Sequence, residues 1–207
     1  MKKYANKSKT SNSADRESLP GKLIVISAPS GCGKTTIVER LLKRHPSWVR
    51  SVSVTTRPPR EGEKQGVDYF FVSSTAFREM QAKGELLESA KVFGQDYGTP
   101  KAFVVEYLAK GRDVILAIDV QGARQVQKSL DPKISRVSIF VLPPSVKVLR
   151  ERLEGRKTDS PEEIERRIEA AQEEIKEAGS YDGTVVNQNL DRSVAEIEEV
   201  IENFKRS

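Results

Sequence analysis

The stretch from Leu23 to Thr36, Leu-Ile-Val-Ile-Ser-Ala-Pro-Ser-Gly-Cys-Gly-Lys-Thr-Thr, restricts this chain more than any other. Leu23 to Ile26 is apolar without polar alternation, the pattern of a parallel strand buried on both faces. The run breaks at Ala28-Pro29-Ser30-Gly31-Cys32-Gly33 and passes through Lys34, Thr35 and Thr36 into a helical pattern. Strand, glycine-rich loop and helix in that order make a cradle for phosphate. Gly31 and Gly33 admit backbone angles closed to other residues, so successive N–H groups and the positive helix end share one concavity. Lys34 is then expected to reach the β- and γ-phosphates of a nucleoside triphosphate, and the Thr35 hydroxyl to ligate Mg²⁺. The full pattern G-x-x-x-x-G-K-[ST] calls for Gly where Ala28 stands, so the match is complete only from Gly33 onward. The competing reading is a glycine-rich turn that merely caps a helix. It leaves Gly33-Lys34-Thr35, directly after an apolar strand, without a reason.

At 207 residues, 37% apolar and 31% charged, the chain suits one soluble globular domain with small insertions. No run approaches the ~18 apolar residues of a membrane span, and no signal-peptide pattern opens it. A net charge of +5, with basic and acidic residues interleaved, permits anionic ligands without demanding nucleic acid. The single Cys32 excludes an internal disulfide and points to a reducing cytoplasm. Its place near a helix N-terminus lowers a thiol pKa and favours oxidation, while a small loop filler is the plainer reading. His45, before Pro46, reads as a partner of the helix dipole rather than a catalyst. Residues 1–20, rich in Lys, Ser and Asn, read as a disordered tail.

Beyond the loop, Ile37, Val38, Leu41 and Leu42 predict a helix over 35–45, and Val52 to Val54 a short strand. The polar run 55–66 is too long and turn-rich for a plain connection. Strands are expected at 67–72 and 86–93, a helix at 75–83, and a turn at Tyr97-Gly98-Thr99-Pro100. Alternation then resumes: helix 101–110, strand 113–118, helix 121–130, strand 137–142, helix 146–153 and strand 184–186. Ser160-Pro161-Glu162-Glu163 predicts a capped helix running to Ala178, and Ser193 to Glu196 a second capping box that opens the last helix. The expected fold is α/β: a three-layer phosphate-loop core over 21–52, 100–150 and 179–207, built on a five-stranded parallel sheet. A small, mostly antiparallel insertion occupies 53–99, and a helical lid 151–178.

Arg57 and Arg60, three residues apart in Ser53-Val54-Thr55-Thr56-Arg57-Pro58-Pro59-Arg60, offer a stiff fork for a phosphate dianion; taken alone, such a run is more often an exposed polyproline turn. From Gly21 to about Phe204 the chain resembles the guanylate kinases. The most specific stretch is Ser-x-Thr-Thr-Arg-x-Pro-Arg-x-Gly-Glu-x-x-Gly-x-x-Tyr. The resemblance implies that Arg57, Arg60 and Tyr69 hold the 5′-phosphate of GMP or dGMP, that Ser53, Glu88 and Thr99 read the guanine, and that Tyr97 lines the pocket. The chemistry of Glu88 is consistent: one carboxylate accepts both guanine N1–H and the exocyclic amine, whereas adenine N1 would face it with a lone pair. A surface charge at a strand end is the alternative. Asp119 follows an apolar strand, where it resembles the acid that holds Mg²⁺ through water, contributes to the GMP site, and also suits a helix N-cap. Ala117 stands where many relatives carry a second acid.

The same resemblance makes 151–178 a lid, with Arg156 near the adenine, Arg152 and Arg167 near the transferring phosphoryl, and Asn187 bordering the adenine. As surface charge, this helix would need no explanation. The implied donor and acceptor are ATP and GMP or dGMP, with Lys34, Arg57, Arg152 and Arg167 as the catalytic set. A non-catalytic guanylate-kinase-like interaction module is the alternative from another class.

Overall fold

The computed structural model describes residues 21–205, apart from 130, 132–133 and 156–158; the tail expected at 1–20 lies outside them. The central strand β1 (Leu23–Ser27) is buried at every position. It is followed by α1 (Lys34–Arg44), β2 (Val49–Arg50), β3 (Val54–Thr55), β4 (Phe70–Phe71), α2 (Ser74–Ala82), β5 (Leu86–Val92) and β6 (Gln95–Pro100). The remainder runs α3 (Lys101–Ala109), β7 (Val114–Ile118), α4 (Val120–Ser129), β8 (Arg136–Leu142), α5 (Val146–Glu154), α6 (Pro161–Ile175), β9 (Gly183–Val186) and α7 (Leu190–Lys205). A 3₁₀ turn, Lys176–Ser180, follows α6 directly.

Five strands form one parallel sheet in the order β2-β7-β1-β8-β9, as the alternation of strands and helices requires. Leu23 and Val25 point to one face, against Val104, Leu108 and Val126 of α3 and α4. Ile24 and Ile26 point to the other, against Ile37, Leu149, Ile168 and Ile197 of α1, α5, α6 and α7. Covered on both sides, β1 has no polar face to show. Its carboxyl end, between those of β7 and β8, opens the crevice where open α/β sheets bind ligands.

A second sheet, β4-β3-β6-β5, carries two antiparallel pairings and one parallel one. Here several boundaries move. The strand expected over 67–72 shrinks to Phe70–Phe71, and the one at 52–54 becomes Val54–Thr55, with Val49–Arg50 pairing in the core sheet instead. Tyr97–Pro100 is a strand rather than a turn, and the reversal falls at Phe93-Gly94, both with positive φ, 47° and 80°. Gly98 is glycine for room: a Cβ there would lie 2.9 Å from Leu86 Cδ1 and 3.1 Å from the Glu88 carbonyl.

Two caps also differ. Ser160 accepts from the Glu163 N–H at 3.3 Å as expected, but the Glu163 carboxylate turns to Arg167 and leaves the box half made. α6 yields to the 3₁₀ turn after Ile175, three residues short of Ala178. The last helix opens three residues before its expected box, with Asn189 Oδ1 accepting from Arg192 N at 3.1 Å. Ser193 lies inside the first turn, buried, where its hydroxyl meets the Asn189 carbonyl at 2.8 Å. Its predicted partner, Glu196, pairs with Arg192 instead.

Asn189→Ala should therefore cost about 1 kcal/mol of stability in urea titration, the usual loss of an N-cap, and Glu196→Ala no more than about 0.5 kcal/mol. The reverse order would restore the capping box at Ser193.

Candidate active site

The loop between β1 and α1 turns on Gly31 and Gly33, with φ of 95° and 83°. Both are also hemmed in: a Cβ on Gly31 would lie 2.9 Å from Leu149 Cδ1, and one on Gly33 2.7 Å from Asn187 Nδ2. Asn187 is buried beneath the loop and donates to the Cys32 carbonyl at 2.7 Å, while Ser193 donates to its Oδ1 at 3.3 Å. Its amide thus braces the loop from below. Cys32 is fully buried among Ile37 and Leu149, the loop filler rather than an exposed thiol. Ala28 and Pro29 are buried at the strand exit, and Thr35 and Thr36 are exposed at the start of α1.

Lys34 reaches across the loop and donates to the Ile118 carbonyl at 2.8 Å. Burial lowers its pKa, and the carboxylates of Asp119, Glu174 and Glu88 pull the other way. Asp119 follows β7 and caps α4, accepting from Gly122 N at 2.8 Å, the N-cap expected of it. Thr35, in the first turn of α1, and Asp119, just past the end of β7, are hard oxygen donors. That set suits Mg²⁺, which takes one or two protein ligands and completes its shell with water and phosphate.

The second sheet faces the same crevice. Glu88 stands mid-strand on β5, only 5% exposed, where Thr99 Oγ1 donates to its Oε1 at 2.6 Å. Burial, together with the nearby Asp119 charge, raises it to about 7, against the pull of Thr99 and Lys34. Gly122 of α4 packs against this carboxylate so closely that a Cβ would collide with Oε2. Ser53 enters β3, its carbonyl accepting from Phe70 N at 2.8 Å. Thr55 and Thr56 tie the arginine loop to β6: Thr55 Oγ1 donates to the Asp96 carbonyl at 3.0 Å, and Asp96 N donates to Thr56 Oγ1 at 2.9 Å.

Arg57 is gathered by that loop. Its Nη2 meets Glu63 Oε1 at 2.8 Å and Oε2 at 2.9 Å, with Tyr69 and Phe71 under the guanidinium at 5.3 and 5.8 Å. Tyr97 packs edge-on against Tyr69. Arg60 reaches the cluster through its backbone, N donating to Glu63 Oε2 at 2.7 Å, while its residue is exposed.

On the other wall Arg167 of α6 is 7% exposed and donates to Ser30 Oγ of the loop at 3.1 Å and to Glu163 at 3.0 Å, with Asp159 beside its Nε at 3.3 Å. Arg152 of α5 donates to the Asn187 carbonyl at 3.0 Å, and its buried Nη1 has no hydrogen-bond partner among the described residues. Arg156 lies outside the described residues.

Sequence reasoning gave no task to Glu63, Glu174, Asp159 or Phe93, and gave Glu163 only its place in the capping box. Two of them left a trace: Glu163 is four residues before Arg167, and Glu174 seven after it, on one helix face. Glu174, partly buried opposite Lys34 and Asp119, is raised by burial to about 7.

A phosphate-loop motif on the core sheet faces Arg57 and a buried carboxylate carried by a second sheet, an arrangement with room for two anionic ligands at once. That is the requirement of a nucleoside monophosphate kinase. A gluconokinase from Sinorhizobium meliloti 1021 shares the fold, with a TM-score of 0.50 at 17% identity over 89% of this chain and 93% of that one. The guanylate kinase family model matches residues 20–204. Guanylate kinase of Wolbachia sp. subsp. Brugia malayi (strain TRS) is 48% identical over 189 residues, 90% of this chain and 96% of the relative. That of Clostridioides difficile (strain 630) is 49% identical over 185 residues, 89% of each. The crystal structure of guanylate kinase from Anaplasma phagocytophilum superposes with a TM-score of 0.74 at 35% identity, covering 89% of this chain and 86% of that one. The chain belongs to the guanylate kinase family.

A carboxyl held at about 7 in the fold and near 4.5 in the unfolded chain opposes folding once both states are ionised. Glu88→Gln should therefore stabilise the nucleotide-free protein at pH 8, by an amount that shrinks as pH falls through 7 and vanishes near 4.5. Urea titrations at several pH values measure it. A pH-independent difference would mean that the carboxyl is not perturbed.

Proposed function

We propose that the chain transfers the γ-phosphoryl group of Mg²⁺-bound ATP to GMP or dGMP, giving ADP and the diphosphate, in the cytoplasm. One observation carries the reading: the buried Glu88 carboxylate faces Lys34 of the phosphate loop across a single crevice. The base reader and the triphosphate cradle are thus neighbours. Ser53, Glu88 and Thr99 read guanine, with Asp119 alongside; Arg57, Arg60 and Tyr69 hold its phosphate, and Tyr97 walls the pocket. Residues 28–36 cradle the triphosphate, and Asn187 and Arg156 border the adenine.

The Thr35 hydroxyl and, through water, Asp119 would hold Mg²⁺, which when bound would neutralise charge on the β- and γ-phosphates. The acceptor is a phosphate oxygen, mostly ionised at neutral pH because its second pKa is ≈ 6. No general base is needed, so the distance of His45 from the crevice, where it stacks on Trp48 and bonds Glu198 at 2.7 Å, is no obstacle. What remains is to hold two anions in line against their repulsion. Lys34, Arg57, Arg152 and Arg167 do this from four separate elements. Residues 53–99 and 151–178 close on the crevice from its two sides and exclude the water that would hydrolyse ATP.

ADP release measured over GMP, dGMP, AMP, UMP and CMP tests the reading. Turnover with the guanine nucleotides alone is expected. A preference for AMP or UMP would reassign the acceptor, and no turnover with any of them would leave an interaction module. Lys34→Ala and Arg57→Ala should each lower kcat by about 10³ or more with the fold intact by circular dichroism, the loss typical of a preorganised charge aimed at the transition state. Near-normal turnover in either would remove that residue from the mechanism.

Guanine requires the Glu88 carboxylate, so binding releases a proton below pH about 7. The Kd for GMP should weaken by up to about tenfold per pH unit there, and Glu88→Gln should lose that part of the profile.

A further inference from the structure

Phe93 is the one residue other than glycine with positive φ among the described residues, at 47°. It takes the first central position of the two-residue turn between β5 and β6, where Asn or Asp before Gly94 would sit comfortably and an aromatic residue is strained. The residue is also 45% exposed, so burial does not explain why it is held there. The neighbour that does is Arg167, whose guanidinium carbon lies 4.8 Å from the ring centroid.

That guanidinium is already crowded along its edges, by Ser30 of the phosphate loop, Glu163 and Asp159. Phe93 covers its face. Ser30, α6 and the β5–β6 hairpin therefore meet at one cation, and the hairpin that supplies the ring also carries Glu88 and Thr99 on its two strands.

We propose that Phe93 is a positioning residue that couples occupation of the guanine site to the placement of Arg167 at the phosphate loop. Guanine held by Glu88 and Thr99 fixes the two strands, the strands fix the turn, and the ring sets the guanidinium against Ser30. The hairpin tip is then the physical link between the two substrate sites. The inference rests on the reading of Arg167 as a group that contacts the transferring phosphoryl.

Phe93→Asn is the decisive variant, because Asn accepts a positive φ and removes only the aromatic face. Its thermal midpoint should equal or exceed that of the native chain, and its Kd for GMP alone should be unchanged. Its kcat should fall roughly two- to fivefold, the factor a single, partly exposed cation–π contact supplies. The tightening of a non-hydrolysable ATP analogue by GMP should also be lost. Phe93→Tyr should restore both. Phe93→Leu, which keeps bulk and strain but not the ring, should lose kcat and coupling as Phe93→Asn does.

Native kcat and native coupling in Phe93→Asn or Phe93→Leu would overturn the proposal, as would a fall in kcat matched by a loss of GMP affinity. Arg167→Lys separates this failure from failure of the underlying reading. If Arg167→Lys is itself near-normal, the assignment of Arg167 is wrong; if it is slow and adding Phe93→Asn slows it as much again, the two residues act independently and only the coupling is refuted.

Discussion

An ammonium group on the floor of a crevice has to be matched by negative charge, and most of this structure follows from how Lys34 is matched. It donates to the Ile118 carbonyl and feels Asp119, Glu174 and Glu88, which come from the end of β7, from α6 and from β5. Each of these acids has to be carried to the site by its own element. The core sheet, the second sheet and the α6 wall are therefore held around one cation. Two of the acids, Glu88 and Glu174, are themselves raised to about 7 by burial, so the balance shifts with pH and with whatever anion arrives.

The arginines obey the same rule. Arg57 is held by Glu63, and Arg167 by Asp159 and Glu163. On the proposed reading, each of these carboxylates occupies donors that a phosphate would use. A fork kept in shape by an internal anion does not have to be ordered when substrate binds, which lowers the entropy cost of binding. On that reading the cost is competition, since an incoming phosphate would have to displace or share a partner already in place.

The core of the fold was legible because its signals are local. An unbroken apolar β1, alternating helices and strands, and a glycine-rich loop before Lys34 each act within a few residues. The boundaries misread were those where two local signals compete. Ser193 and Glu196 have the spacing of a capping box, yet Asn189 captures the cap because β9 ends where it does. Gly94 and Gly98 both look like turn residues, and only packing against Leu86 tells that Gly98 belongs inside a strand. What the sequence could not show is long-range: Asn187 bracing Cys32 across 155 residues, or Arg167 lying over Phe93. Such pairs depend on how two elements meet, and no periodicity within either records it.

The central claim is that the carboxylates lining this crevice hold its cations in the positions that phosphate will use. A crystal structure with bound GMP tests it most directly. The account predicts the guanine on Glu88 and Thr99, and the 5′-phosphate on Arg57 and Arg60 with the Glu63 contact to Arg57 loosened or replaced. GMP seated away from the Arg57–Arg60 bend, or an Arg57 side chain that swings to a new position to meet it, would contradict it.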